Sequence, residues 1–429
     1  MRALLLALAL LAGFAPAVGA ASPGAATPGT SFRRGVGVHT MLNWGRLDPA
    51  DRTRYAAEPF SGESYALSDA VIRNVAAAGF DFVRLTLDPG PFLQLEGAAR
   101  DALDARLTAT VRRFLSAGLA VVVDLHPNTQ VPRYDPVNWL RSTEDPIFLR
   151  YVELVRRTAR LLGGLGSAAV AFEPMNEPPY GYDSSSVRRW QTMCERLHAT
   201  IRGEAPDLLV VLTGAHGGDR FGLIALDPAP FRGSRVLYSF HFYEPYPFTH
   251  QGVVSDSKGS EMWRYLSEMP YPAPSVPAPI VLDVVRGNVE GDASLDPARR
   301  RAALAQAQAQ VRAYLAEGFD RSRIAQAFDK VGEWARRNAI PGDRIFLGEF
   351  GATRTYGPYR ASDPLSYETW LRDIRDLAEQ RSFGWAFWAL GGYGGMSLVA
   401  EDGGSVLDRT TLRALGLRTD PQAGAGAPR

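Results

Sequence analysis

Residues 103–126 read LDARLTATVRRFLSAGLAVVVDLH, and two periods meet inside this stretch. Leu103, Leu107, Val111 and Leu115 recur at the spacing that lays one apolar stripe along a helix, and Gly118 is the residue type that ends one. Residues 119–125 form a short, β-branched apolar run with no polar break before Asp124, as expected of a strand buried on both faces. The same alternation continues in both directions. Strand-like runs occur at 36–38, 80–87, 168–175, 208–213, 236–242, 345–350 and 383–390, with helical patterns between most of them. Repeated strand, helix, strand order implies a parallel sheet.

The starts of these runs lie 28–49 residues apart from Phe80 to Val236, and 38 apart from Ile345 to Phe383, which suits single βα units. Val236 and Ile345 are 109 residues apart, so an insertion at about 246–340 follows the sixth strand. It begins with aromatics and a Pro-punctuated segment, 269–274, and contains a long helix, Pro297–Glu317. Eight such units closing on themselves predict an α/β fold, a (β/α)8 TIM barrel, with chemistry at the C-terminal ends of the strands. An open doubly wound sheet is the rival, but no Gly-x-Gly-x-x-Gly turn follows the first strand.

Composition bounds the rest. In 429 residues, 47 Lys+Arg face 46 Asp+Glu, so no charge sign points to nucleic acid or an anionic membrane. Hydrophobic residues at 46% are enough for a large core. Arg2 followed by the apolar run 3–12 and the small residues Val18-Gly19-Ala20 reads as a signal peptide over 1–20, too short to span a bilayer, and implies a secreted or periplasmic protein with no membrane contact after cleavage. Residues 21–32 and 419–429, rich in Gly, Ala and Pro, read as disordered flanks of one catalytic domain, 33–418. The single cysteine, Cys194, lies on a helix expected over Ser184–Glu204 and reads as a buried, inert thiol. Nothing in the sequence demands more than a monomer.

Polar groups end most of the strand runs. Arg84 lies on the second, Asp124-Leu125-His126 ends the third, Asn176-Glu177-Pro178 the fourth, His241-Phe242-Tyr243 the sixth and Gly348-Glu349-Phe350-Gly351 the seventh, while the eighth carries Trp388. Two carboxylates on facing strands, among a cation, histidines and aromatics, are what glycoside hydrolysis requires. Arg84 and Tyr243 beside Glu349 would keep it ionised, making it the nucleophile, whereas Glu177, facing histidines, would keep a proton and serve as acid, then base. Glu173, deeper in the barrel, reads as a buried partner for Arg84 or another strand residue, without a catalytic role. His126 and His241 are poor metal ligands here, because no third ligand stands at recognisable spacing.

These motifs, in this order, resemble those of glycoside hydrolase family 5, the cellulase family, over roughly residues 35–390. The resemblance implies a retaining mechanism with carboxyl groups about 5–5.5 Å apart and no metal or organic cofactor. It also implies that Asn176 binds the sugar 2-OH, Arg84 and Tyr243 steady Glu349, His241 neighbours Glu177, His126 touches the substrate and Trp388 lies beneath the sugar ring. One departure stands at the first strand, where Arg34-Gly35-Val36-Gly37-Val38-His39 lacks the family's usual following Asn. His39 and Asn43-Trp44 either replace its contacts or merely pack over the barrel mouth.

In the insertion, Tyr246, Phe248, His250, Gln251 and Trp263 either line leaving-group subsites or form a satellite core. Glu244 should point away from the reaction centre, and 401–404 reads as a turn. The expected activity is a secreted, retaining, endo-type β-glycosidase acting on a polysaccharide or oligosaccharide, foremost a β-1,4-glucan. Mannan, xyloglucan, β-1,3-glucan and exopolysaccharide are alternatives, and so is a carbohydrate-binding protein that has lost turnover.

Overall fold

The computed structural model describes residues 32–420, apart from 167, 256–258, 358, 392–394 and 401–403. The signal peptide, most of both flanking segments and most of the 401–404 turn lie outside the described residues. Eight strands, β1 (Arg34–Leu42), β2 (Phe82–Leu87), β3 (Ala120–Leu125), β4 (Val170–Glu173), β5 (Leu209–Thr213), β6 (Val236–His241), β7 (Ile345–Phe350) and β8 (Gly384–Phe387), pair in parallel and in sequence order. They close into a barrel. Each strand overlaps an apolar run identified above, although β1 extends well beyond 36–38 at both ends; Trp388 follows β8 rather than lying on it.

Side-chain alternation along the strands builds the site. At the closed end of the barrel the inward positions are apolar: Phe82, Val122, Ala171, Val211, Leu237, Phe346 and Ala386 form one buried cluster. Two residues further along the same files stand Arg84, Asp124, Glu173, Thr213 and Ser239, all buried. The apolar floor therefore supports a charged layer. β7 departs from this alternation: Phe240 of β6 pairs with Leu347, yet the next residue, His241, pairs with Glu349. Gly348 is the extra residue of a bulge, and the bulge turns Glu349 inward three residues after Phe346. Glycine is needed there, because a Cβ at 348 would meet Ser239 Oγ at 2.5 Å and His241 Nε2 at 3.0 Å.

The helices lie outside the strands. Helix Ser184–Glu204 has the expected bounds and opens on Asp183, whose carboxylate accepts from the N–H groups of Ser185 and Ser186. Cys194 on it is buried, and burial pushes its thiol pKa up. The stretch 246–340 divides into two parts. Helices Ala278–Glu290 and Pro297–Glu317 pack on each other and are additions to the barrel. Helix Arg321–Arg337 is the barrel's own: Phe328 packs edge-on against Phe240 and Phe242 and touches Phe383, and Trp334 packs against Tyr238. The inserted part thus ends before Arg321, and the range 246–340 is too long by one helix. Among the described residues, no helix is long and apolar enough to cross a membrane.

Candidate active site

Arg84 is the centre of the charged layer, with no exposed side-chain surface. Its guanidinium donates from Nε to Glu173 Oε2 at 2.7 Å, from Nη2 to Glu173 Oε1 at 3.1 Å and to Asn176 Oδ1 at 2.7 Å, and from Nη1 to Glu349 Oε1 at 2.7 Å. Asp124 Oδ2 stands 3.0 Å from Nη2. Burial alone would lower the pKa of Arg84, but the carboxylates of Asp124, Glu173 and Glu349 hold it well above its ordinary value. Burial raises that of Glu173 against the opposing pull of Arg84. Thr213 Oγ1 donates to Glu173 Oε1 at 2.9 Å, so Glu173 is the fixed partner that orients Arg84.

Glu349 receives a second donor, Tyr243 Oη, at 2.8 Å on Oε2. Burial would raise its pKa; His241, Arg84, His126 and the Tyr243 bond outweigh that and bring it down to about 2. Glu177 lies higher on the rim, its side chain 40% exposed and its backbone at φ 39, in the left-handed region. His241 Nδ1 stands between the two acids, 2.7 Å from Glu177 Oε1 and 3.6 Å from Glu349 Oε2. One oxygen of each glutamate and a ring nitrogen of His241 lie within 4.8 Å of one another. Two carboxyl groups in reach of a common bond, one tightly held and ionised, the other half open to solvent, can perform nucleophilic attack and proton delivery on one substrate.

A cavity of about 900 Å³ opens over this pair. Glu177, Glu349, His126, His241, Tyr243 and Trp388 all line it. His126 bonds Asp124 Oδ2 through Nδ1 at 2.8 Å, lies 3.4 Å from Asn176 Nδ2 through Nε2, and stacks at 10° to the Trp388 indole. His39 and Trp44 stand outside the lining. His39 is buried against Trp388 and Thr86, and its Nε2 accepts from Trp44 Nε1 at 2.8 Å, so the pair supports Trp388 from behind. Trp263 is not brought to the cavity either: it lies parallel to Tyr246, ring centres 6.1 Å apart, and leaves the wall to Tyr246 and His250. Glu244 is turned away and pairs with Arg220.

The cavity also includes residues that sequence reasoning did not single out: Tyr182, His216 and Asp219. They sit on loops after β4 and β5, without hydrophobic period. The one signal was the polar, glycine-flanked run Ala215-His216-Gly217-Gly218-Asp219 at a strand end.

A family model described as Cellulase (glycosyl hydrolase family 5) matches residues 51–394. Cellodextrinase A of Ruminococcus flavefaciens is 27% identical over 188 residues, 43% of this chain and 53% of that protein. Endoglucanase 3 of Fibrobacter succinogenes is 25% identical over 358 residues, 80% of this chain and 48% of that protein. The chain spans about half the length of these curated relatives. The crystal structure of the cellulose synthase subunit Z from Clostridioides difficile is similar in fold, with a TM-score of 0.60 at 22% identity over 89% of this chain and 99% of that one. Endoglucanase Cel5A of Thermotoga maritima is similar at 0.61 and 20% identity, over 90% and 97%. With the barrel, the paired glutamates at the ends of its fourth and seventh strands, and a family match over most of its length, the chain belongs to glycoside hydrolase family 5.

Proposed function

We propose that this chain is an exported, retaining, endo-type β-glycosidase that cleaves a β-linked glucan, foremost a β-1,4-glucan. The observation that carries the reading is the approach of Glu177 and Glu349 to within 4.8 Å through one oxygen each, a closeness that suits a double displacement better than the wider spacing of inversion. Glu349 attacks the anomeric carbon while Glu177 protonates the leaving oxygen, and a glycosyl ester forms on Glu349. Water then attacks that carbon as Glu177 takes its proton. Arg84 and Tyr243 keep the attacking carboxylate charged and aimed. His241 Nδ1, 2.7 Å from Glu177 Oε1 and 3.6 Å from Glu349 Oε2, holds the acid beside the nucleophile.

Arg84 fixes the Asn176 carbonyl, and of the two N–H groups of its amide, which stands 3.4 Å from His126 Nε2, one is left for the sugar 2-OH. The indole face of Trp388 covers the apolar face of the ring. A β-glucan substrate is supported by the family and by a cellodextrinase and an endoglucanase among the relatives. Export is supported by the basic-then-apolar start of the chain.

The test is hydrolysis of a panel of β-1,4-glucan, β-1,3-glucan, xyloglucan, mannan and bacterial exopolysaccharide, with the anomer first released followed by proton NMR. Retention with activity on a β-glucan is the expected result. Inversion would overturn the mechanism, and inactivity on every β-glucan would overturn the substrate. Glu349→Ala and Glu177→Ala should each nearly abolish turnover, with azide partly restoring turnover of an activated substrate in the latter.

A further inference from the structure

Gly35, Gly37 and His39 follow one another on the inward face of β1, where Gly35 pairs with Phe82 and Gly37 with Arg84. The two glycines make room. A Cβ at Gly35 would meet the Phe82 ring at 2.2 Å, and one at Gly37 would meet Trp388 Cε3 at 2.9 Å. Phe82 thus fills the first gap at the closed end of the barrel, and Trp388 fills the second at its mouth. His39 is the first large side chain of this file, and it stands in the stretch where the first strand departs from the family pattern.

His39 closes against two rings of the cavity wall. Its ring centre lies 4.8 Å from that of Trp388, at 63°, and 5.0 Å from that of His126, at 70°. His126 and Trp388 in turn stack at 10°, with centres 5.6 Å apart. These two line the cavity, while His39 is buried behind them. Edge contacts between rings are directional, so the orientation of His39 limits the tilt of Trp388.

Hydrogen bonds leave His39 one orientation and one protonation state. An indole N–H only donates, so the 2.8 Å contact from Trp44 Nε1 requires a lone pair on His39 Nε2. Nδ1 then carries the hydrogen and donates to Thr86 Oγ1 at 3.0 Å, and the threonine hydroxyl donates on to Val38 O at 3.4 Å. Both ends of this chain are anchored, Thr86 within β2 and Trp44 through its carbonyl, which accepts from Tyr65 Oη at 2.7 Å. A second proton on the imidazole would set its N–H against that of the indole, and burial, with His126 and Arg84 nearby, brings its pKa down to about 3. The ring keeps one form while the catalytic carboxyl groups exchange protons.

We infer that His39 is a positioning residue of the reaction: through Trp388 it fixes the tilt of the surface on which the attacked sugar rests. This rests on the catalytic reading above. A loosened platform still offers the bound sugar an apolar face, but a misplacement of about 1 Å at the reacting centre can cost about 100-fold in rate, so the loss belongs in kcat. The test measures kcat and KM for His39→Ala, His39→Phe, Trp388→Ala and the combined His39→Ala and Trp388→Ala protein on the polysaccharide that the panel identifies. His39→Ala should lower kcat at least tenfold and change KM less than threefold, and His39→Phe, which restores a ring against Trp388, should recover part of the loss. In the Trp388→Ala background, His39→Ala should cost less than twofold further, because its effect passes through that indole. A loss in kcat below threefold, or the same factor in both backgrounds, would overturn the positioning role alone. Thermal unfolding of the same preparations checks that each protein is folded, and His39→Gln, which keeps an acceptor for Trp44 but no ring, carries the same comparison if His39→Ala is not. Inactivity of the unaltered protein on the whole panel would overturn the catalytic reading and this inference with it.

Discussion

Replacing Arg84 by Met isolates the charge at the centre of the site while roughly keeping its volume. The guanidinium has no exposed surface and contacts Glu173, Glu349, Asp124 and Asn176 at 2.7–3.1 Å. Removing one member of a buried ionic set leaves uncompensated charge and costs about 3–5 kcal/mol, a large part of a typical stability of about 5–15 kcal/mol. The loss should depend on pH with a definite sign. In the unaltered protein Glu349 has a folded pKa of about 2 against an ordinary 4.5, so its contribution is in place above the ordinary value and disappears only as pH falls toward 2. Between pH 5 and 7.5 it is constant. In Arg84→Met, burial of Glu173 and Glu349 is no longer opposed by Arg84, so their folded pKa values rise and the folded state takes up protons as pH falls. His241, protonated at the lower pH, acts in the same direction. The deficit should therefore be largest at pH 7.5 and smaller at pH 5. Urea unfolding followed by tryptophan fluorescence at the two pH values measures it directly. Equal stability at pH 7.5, or a deficit of the same size at both, would show that Arg84 is not the counter-charge of this cluster.

Tyr243→Phe removes the 2.8 Å bond to Glu349 without changing ring volume. A hydrogen bond to a charged group is worth about 1.5–3 kcal/mol, so kcat/KM should fall about 10- to 100-fold and the acid limb of its pH profile should move up; an unmoved limb would deny Tyr243 its hold on the nucleophile. Gly218→Ala meets φ +72 and a Cβ position 2.9 Å from Thr213 Cγ2. The left-handed conformation alone costs about 1–2 kcal/mol, and displacement of Glu177 should lower kcat more than stability, a split that thermal unfolding and steady-state kinetics on one preparation would read.

The eight strands were legible because parallel strands buried on both faces leave unbroken apolar runs, and because charged residues interrupt those runs only where the inward file reaches the mouth. Arg84, Asp124 and Glu177 stand out in sequence for that reason. The assignment of 246–340 erred by one helix because Arg321–Arg337 carries the same 3.6 period as the helices truly inserted before it; only the packing of Phe328 and Trp334 on β6 separates them. Aromatics in a loop gave less. Tyr246 faces the cavity while Trp263 lies behind it, and no periodicity distinguishes the two. Tyr182, His216 and Asp219 escaped because they sit on loops without hydrophobic period, and only the closed barrel brings them to the cavity.

Depth in the barrel mouth separates the roles of three glutamates. Glu173, on the regular inward file of β4, is fully buried, and two arginine bonds and a threonine hydroxyl leave it nothing to do but hold Arg84. Glu349 would point outward if β7 kept its alternation; the bulge at Gly348 brings it in, one layer above Glu173, with 5% of its side chain exposed and a cation and a phenol on its two oxygens. Glu177, past the end of β4, keeps 40% exposure, and its carboxyl group bonds the imidazole it shares with Glu349. A carboxyl group at the lowest level can neither reach a sugar nor exchange a proton, one at the middle level can attack but is held ionised, and one at the rim can trade protons with water. The division of labour follows from where backbone register places three identical side chains around one guanidinium. A change that moved the register of β7 by one residue would abolish catalysis while leaving every functional residue in the sequence.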